Sequence, residues 1–301
     1  MNFNKIIWKD RSGISTILVI AVVVILVVAA AAAYIVLSNG NNDDSDKEEL
    51  APGTVMSYDV FEGGKLTATQ DQIIIGQNKN DYFVEVITTP DGGSASFTQY
   101  ALAPKAQPKD PKKIGTANDM DTCDGPMDLE IWEYTQEGVK VRAYIDPSSG
   151  VAYKEEAVDT DAAVVLTGYD FKWQTSYKES KSIGKTYEYV LSGTNLVAKI
   201  KCVADCVDGK FGVKYDFNQF GGGEICFLSD NIQGLPVDAT DTEETMTLAG
   251  TIDGDVTVQI WEYTEIGAGF VFYYDPVTYI IYQFDLFSGG TTISFDLTKK
   301  A

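Results

Sequence analysis

The sequence twice places a glutamate between a tryptophan and a tyrosine, in the pentapeptide IWEYT. The first copy is residues 131–135, and the second begins 129 positions later. A carboxyl group in aromatic surroundings would serve as a general acid or base if it were desolvated. In an extended strand, however, Glu133 and Glu262 lie on the face opposite the rings of their own pentapeptides, and we expect both to be exposed.

Other sequence features argue against an enzyme. The chain contains no histidine, which excludes Ser-His-Asp and Cys-His catalysis and every histidine-based metal site. We find no nucleophile with an evident base and no phosphate-binding glycine loop. The acidic clusters around 119–124, 238–244 and 253–255 lack the spacing of a calcium loop and are typical of solvated loops. We therefore expect no catalytic residue, no metal and no cofactor.

Two aromatic sets could form ligand-binding faces, because aromatic rings contact apolar ligands and sugar rings. The alternative is that they pack the core of each unit, or the contact between the copies, since large aromatic side chains in strands are mostly buried. The candidate residues are Trp132, Tyr134 and Tyr144 in the first set and Trp261, Tyr263 and Tyr273 in the second.

Cysteines are few and even in number: Cys123, Cys202, Cys206 and Cys226. An exterior location would permit disulfides. Cys202 and Cys226 lie on predicted strands that flank one loop, and Cys206 could bridge to either of them or to Cys123. Four cysteines allow three pairings, which the sequence leaves open. Free thiols and a metal site are the alternatives, and the spacing of Cys202 and Cys206 is poor for zinc.

The net charge bears on partners. The chain has 44 acidic against 23 basic residues, a net charge of −21. A surface of this sign repels phosphate backbones, so we expect no nucleic-acid partner.

The amino terminus predicts a membrane helix. Residues 14–37 contain no charge. As a helix rising about 1.5 Å per residue they would span about 36 Å, enough to cross an apolar bilayer core of about 30 Å. A cleaved secretory signal is the alternative, but its apolar region is usually only about 7–15 residues. Basic residues precede the stretch and acidic ones follow it, so residues 1–13 are expected in the cytoplasm and the bulk of the chain outside.

The junction KDRSGIST at 9–16 joins basic residues to a long apolar helix through a glycine. It resembles the type-IV-pilin-like (class III) signal of archaeal surface proteins, and the resemblance covers about the first 37 residues. It implies cleavage near Ser12 or Gly13 by a prepilin-type peptidase, with the apolar helix retained. The sequence departs from that signal at Asp10, which interrupts the basic cluster, and at Thr16, where proline is common.

Beyond the polar, acidic linker at 38–53, the chain aligns with itself at an offset of 129. Both IWEYT copies, both Asp-Pro turns and several glycines fall into register. We therefore predict two copies of one β unit, at 54–174 and 183–301. A shared offset over so many positions indicates a common fold and is no evidence for activity.

Each copy shows short alternating segments separated by glycine turns, which is typical of antiparallel strands. The exception is a polar connection at 103–121, and again at 229–245, which we expect to lack regular structure. The fold class is thus all-β: tandem antiparallel units, each a curved sheet, half-barrel or sandwich, after one transmembrane helix. The order of strands resembles that of the half-barrels of lipoprotein-carrier proteins.

These observations predict a single-pass protein of the cell membrane, held through residues 14–37, with a non-enzymatic binding or envelope-structural role outside the cell. Its partner would be a protein or an apolar ligand. Two alternatives remain: a pilin-like filament subunit, and a carrier of lipid or another apolar ligand in the concave β faces.

Overall fold

The structure is a computed structural model, and it describes residues 49–93, 95–105, 109–136, 138–175, 177–220, 223–265, 268–288 and 290–300. The described chain separates into two compact units between Lys178 and Glu179. We call residues 49–178 the N-terminal unit and residues 179–300 the C-terminal unit. The predicted transmembrane helix at 14–37 lies outside the described residues, within which no helix is long and apolar enough to cross a bilayer.

The N-terminal unit consists of strands. They are β1 Glu49–Leu50, β2 Val55–Glu62, β3 Lys65–Gln77, β4 Asp81–Pro90, β5 Phe97–Pro104, β6 Lys109–Thr122, β7 Gly125–Gln136, β8 Val139–Ile145, β9 Ala152–Ala157, β10 Ala162–Asp170 and β11 Trp173–Gln174.

The C-terminal unit is built in the same way. Its strands are β12 Thr186–Leu191, β13 Val197–Cys206, β14 Phe211–Asp216, β15 Glu224–Ser229, β16 Thr240–Thr251, β17 Gly254–Glu265, β18 Ala268–Asp275, β19 Ile280–Ser288 and β20 Thr291–Lys299. Two short 3₁₀ turns, at Val207–Gly209 and Asn218–Phe220, complete the elements described in this unit.

All strand pairs within each unit are antiparallel. In the N-terminal unit β2 pairs with β3 on one side and with β10 on the other, which gives the order β6-β7-β8-β9-β10-β2-β3-β4-β5. The C-terminal unit has the matching order β16-β17-β18-β19-β20-β12-β13-β14-β15. The all-β, antiparallel prediction is confirmed, and in each unit these pairings form one continuous sheet.

Alternation along the strands explains why each sheet has a buried face. In β2, Met56, Tyr58 and Val60 are buried, whereas Ser57 and Asp59 between them are partly exposed. Side chains of successive residues point to opposite faces of a strand, so a period of two assigns one face to the core. The buried residues of each unit gather into one hydrophobic cluster, so each sheet curves around its own core.

Some strands of the C-terminal unit begin and end 129 positions after strands of the N-terminal unit. β7 and β17 begin and end 129 positions apart, as do β10 and β20. The pairing is not identical, however. Glu155 of β9 pairs with Val164, whereas the residue 129 positions later, Phe284, pairs with Phe295. The last strand is thus displaced by two residues, which keeps the same side chains on the core face because the side-chain period is two.

In both units a tyrosine hydroxyl forms a hydrogen bond to the turn of the equivalent hairpin. The Tyr153 hydroxyl donates to Asp124 in the β6–β7 turn, and the Tyr282 hydroxyl donates to Asp253 in the β16–β17 turn. This hydrogen bond, which Tyr169 reinforces by donating at 2.7 Å, lowers the pKa of Asp124. The turn residues DG at 124–125 and 253–254 therefore fix the hairpin to a later strand as well as reversing the chain.

The prediction that the polar connection lacks regular structure was wrong for part of it. Residues 109–121 belong to β6 and residues 240–245 to β16, each strand hydrogen-bonded to the next, whereas residues 230–239 lie outside the strands. The missed signal has a physical cause: both strands are interrupted by register shifts, with Asp110, Asp119 and Glu243 in the left-handed region. Bulges of this kind destroy the alternation by which a strand is recognised.

The end of the predicted linker also belongs to the fold. Glu49 and Leu50 form β1, which pairs with β11, and Leu50 is buried. Lys105 pairs with Glu49 at 2.9 Å. One buried leucine and one ion pair thus fix a segment whose composition is otherwise that of a solvated linker.

Candidate functional site

The aromatic residues of each predicted ligand-binding face lie on both sides of the sheet. Trp132 pairs directly with Ala143 on one face, and Tyr144 pairs with Ile131 on the other. The C-terminal unit repeats this arrangement, with Trp261 opposite Phe272 and Tyr273 opposite Ile260. Directly opposed residues of an antiparallel pair share a face. Neither set of three therefore forms a single platform, because the third member of each lies on the outer face.

The core-facing members are packed among side chains of their own units. Tyr134 is buried in the N-terminal core, and Trp132 packs against that core while its indole N–H donates to Glu130 at 3.0 Å. In the C-terminal unit the Tyr263 ring lies 5.3 Å from the Phe227 ring and meets it edge-on. Trp261 packs against the same core. Tyr134 is thus part of a core, and the other three rings pack against the cores of their units.

Glu155 is a buried carboxyl group that the sequence analysis missed. It is 1 % exposed, and its Oε1 accepts a hydrogen bond of 2.7 Å from the Tyr134 hydroxyl. Its Oε2 has no hydrogen-bond partner among the described residues. Burial raises the pKa of Glu155 to about 8, while the hydrogen bond from Tyr134 opposes the rise. Removing a charge from water disfavours its ionised form, so this group is neutral over most of the neutral range.

A signal for Glu155 was present in the sequence. In VAYKEEA the residues Val151, Tyr153, Glu155 and Ala157 follow at intervals of two and all are buried. Period-two alternation places every second residue on one face, so a glutamate in that series is a core residue. The neighbouring Glu156 faces the other way.

The outer face of the same strands carries a row of ion pairs. Glu133 on β7, Arg142 on β8 and Glu156 on β9 are directly opposed in register. Arg142 Nη2 lies 2.8 Å from Glu133 Oε1, and Arg142 Nη1 lies 3.7 Å from Glu156 Oε2. Lys140 also pairs with Glu133, at 2.7 Å, and Lys154 pairs with Glu156. We call these five residues the charge ladder.

The charge ladder keeps Glu133 in its ionised form. Glu133 is one of the two glutamates of the IWEYT repeat. Hydrogen bonds from Lys140 and Arg142 lower its pKa. A carboxylate held in its charged form by two cations is a poor general base near neutral pH. Its counterpart Glu262 is exposed and is opposed by Val271.

A groove of about 610 Å³ lies beside the ladder on the N-terminal unit. Its lining includes Arg142, Lys154 and Glu156 from the ladder, and Phe61, Ala163 and Val165 from β2 and β10. In register, Ala163 lies between Glu156 and Phe61, and Val165 lies between Lys154 and Asp59. The floor is thus two small apolar side chains, with charged groups on one side and the Phe61 ring on the other.

The turns at the end of the groove are joined to each other. Gly63 N donates to Asp161 O at 3.0 Å, which links the β2–β3 hairpin to the β9–β10 turn. Gly63 and Gly64 both have positive φ, as a two-residue hairpin of this kind requires. Two glycines leave this rim without side chains, which keeps the groove open.

The corresponding outer face of the C-terminal unit has different chemistry. The row that matches the ladder reads Glu262, Val271, Asp285 and Ser294. In the next row Gln283 takes the place of Lys154 and is opposed by Asp296. Both cations and both apolar floor residues are therefore replaced. One contact is shared: the Tyr273 hydroxyl donates to Asp285 at 3.0 Å, as the Tyr144 hydroxyl donates to Glu156 at 3.2 Å.

The cysteines are not brought together as disulfides. Cys123, Cys202 and Cys206 carry free thiols. Cys202 on β13 pairs with Val213 of β14, and Cys226 on β15 pairs with the other edge of β14. Strands two positions apart are separated by about 10 Å, beyond the roughly 7 Å between Cα atoms that a disulfide allows. Burial raises the pKa values of the Cys202 and Cys206 thiols to about 12.

Among the described residues, no group of three or more cysteine, aspartate or glutamate side chains is arranged to hold a metal ion. The aspartates of the DG turns are engaged by tyrosines instead, as described above.

Comparisons with known proteins were made by sequence and by fold. No protein-family model matches the chain, and no curated protein matches it. One similar solved structure is a protein of unknown function from the DUF3598 family of Nostoc punctiforme. It is 10% identical in sequence, and the match covers 90% of this chain and 99% of that one at a TM-score of 0.21. At that TM-score the likeness carries no argument about this chain.

Proposed function

We propose that this protein is a non-enzymatic binding protein of the cell surface, and that its N-terminal unit carries the binding site. In this proposal residues 14–37 anchor the chain in the membrane, residues 1–13 lie in the cytoplasm, and both β units lie outside. The uncharged stretch of 24 residues counted from 14 to 37 and the positive charge before it support that orientation.

The groove on the N-terminal unit is the observation that carries the binding role. Its volume of about 610 Å³ falls within the range of about 300–1,000 Å³ that is usual for small-ligand pockets. It also combines an apolar floor with oriented charged groups, which is how such pockets fix a ligand. The matching face of the C-terminal unit lacks both cations, so we assign that unit a structural role.

An apolar-ligand carrier is not favoured by the contacts in the cores. Such a carrier needs an open concave face lined by aromatic rings. Tyr134 is engaged with Glu155, and Tyr263 packs against Phe227. The aromatic side chains that would have formed the carrier site thus serve the packing of their own units.

The proposed location can be tested with Cys123, which is exposed. Partial burial and the nearby Asp124 carboxylate raise the pKa of its thiol, so labelling near about pH 7.5, where maleimide still prefers thiols to amines, needs a long reaction time because little of the thiol is ionised. We expect a membrane-impermeant maleimide to label intact cells that produce the full chain. Cys123→Ser is the control, and it should remove most of the signal, since Cys206 and Cys226 are only partly exposed and Cys202 is buried. Labelling that requires prior lysis of the cells would contradict an exterior location.

A further inference from the structure

The charges that line the groove balance one another. Arg142 and Lys154 face Glu156 and Asp161, two cations and two anions. The ladder pairs both cations with carboxylates at the outer face. A further anion would have to compete with those carboxylates while approaching a chain of net charge −21. A cation would meet Arg142 and Lys154. The balance favours a ligand that is polar and uncharged.

The shape of the groove further limits the chemical class of the ligand. Ala163 and Val165 form a floor of small apolar groups, and the partly exposed ring of Phe61 stands beside it. Such surfaces pack against C–H groups and ring faces. The rim offers guanidinium and ammonium donors together with carboxylate acceptors, which bind hydroxyl groups that both donate and accept. Pyranose rings combine apolar C–H faces with a rim of hydroxyls.

We propose that the groove binds a neutral saccharide, a short run of uncharged hexose residues presented outside the cell. This inference rests on the proposed binding function and names the ligand class for the same groove. Glu156 accepts hydroxyl hydrogen bonds from the sugar, Arg142 and Lys154 donate to its oxygens, and one ring face lies on Ala163 and Val165 beside Phe61.

The test measures binding of defined oligosaccharides to the full chain. The chain is held in a detergent whose head group contains no sugar, because a glycoside detergent would compete for the groove. The neutral probes are maltohexaose and cellohexaose, and the anionic comparator is a hexamer of galacturonic acid. We expect calorimetric binding of at least one neutral probe, with an affinity that changes less than about threefold between about 0.05 M and 0.5 M salt.

Variants locate the binding in the groove. Arg142→Val with Lys154→Gln copies the C-terminal unit, and we expect it to weaken binding of the neutral probe at least about tenfold, since it removes the charged hydrogen-bond donors to the sugar. Lys199→Gln with Lys201→Gln removes two exposed cations of the C-terminal unit and should have no effect.

Three outcomes would overturn the inference: no binding of either neutral probe, binding of the galacturonate hexamer alone, or neutral binding that the groove variant leaves unchanged. Thermal unfolding of each variant shows that a loss of binding is not a loss of fold. The labelling of Cys123 is independent of these measurements, so an exterior protein that binds no neutral sugar would refute this inference and leave the proposed location standing.

Discussion

The two β units share a strand order but differ in what they enclose. In the N-terminal unit Ala143, Glu155 and Val164 lie in one cross-strand row of the core. The matching row of the C-terminal unit consists of three phenylalanines, Phe272, Phe284 and Phe295. The Phe284 and Phe295 rings are stacked with centroids 4.7 Å apart. The same sheet therefore tolerates either a carboxyl group or an aromatic stack at one position, as long as the alternation and the turns are kept.

The outer faces differ in the opposite sense. In the rows that line the groove the N-terminal unit has the cations Arg142 and Lys154, and the C-terminal unit has Val271 and Gln283 at those positions. At these matched positions the N-terminal unit thus has a carboxyl group in its core and cations outside, while the C-terminal unit has the larger aromatic core. This contrast is the reason for assigning binding to one unit and a structural role to the other.

The largest expected effect concerns the pH dependence of the N-terminal unit. Because the native state raises the pKa of Glu155 to about 8 from 4.5, it binds this proton more tightly than the unfolded chain does. The stabilisation is complete below about pH 4.5 and is lost as pH rises through about 8. At about 1.4 kcal/mol per pKa unit, the loss is up to about 5 kcal/mol. The groups that face Glu155 are Tyr134 and Tyr58, whose own pKa values are raised by burial, so both stay neutral in this window.

The measurement is urea denaturation across this pH range in full-length chains that lack Trp8 and Trp261, so that fluorescence comes from Trp132 and Trp173. Glu155→Gln keeps an oxygen acceptor for Tyr134 but cannot ionise, and its unfolding free energy should be nearly flat between about pH 5 and 8. Parallel curves for the native chain and the variant would show that Glu155 is not the source of the pH dependence.

A second test concerns the aromatic core of the C-terminal unit. Phe284→Ala should lower the unfolding free energy by about 3–5 kcal/mol, because it opens a cavity among Tyr189, Phe272 and Phe295. Here the chains keep Trp261 and lack Trp8, Trp132 and Trp173, so that the fluorescence reports on the C-terminal unit. Phe287→Ala is the matched control on the same strand; Phe287 is 39 % exposed, and its loss should be under about 1 kcal/mol. Equal losses for the two variants would contradict the assignment of Phe284 to the core.

Parts of the fold could be predicted from the sequence where the strands alternate regularly and end in recognisable turns. The antiparallel strands followed from alternation and glycine turns, and the matching strand bounds of β7 and β17 coincide with the IWEYT repeat. β6 and β16 could not be predicted, because their register shifts remove the alternation and both strands are polar and largely exposed. The local sequence indicates turns and the alternation of side chains. It does not indicate that a strand with register shifts will hydrogen-bond to a neighbouring strand.

The candidate site was harder to predict than the fold. The six aromatic residues that the sequence singled out do not line the groove. Their division between two faces depends on which residue of β7 opposes which residue of β8, and likewise for β17 and β18. Register of this kind is a property of the pair and not of either strand. The groove joins β2 to β8–β10 across the chain, so no contiguous motif could have revealed it.

Hydrogen–deuterium exchange of the full chain, with and without saturating maltohexaose or cellohexaose, tests the division of roles most directly. The account predicts slower exchange in peptides that cover Phe61 and strands β8–β10, and unchanged exchange in peptides that cover β18–β20. Equal protection of both units, protection confined to the C-terminal unit, or no protection in either would contradict it.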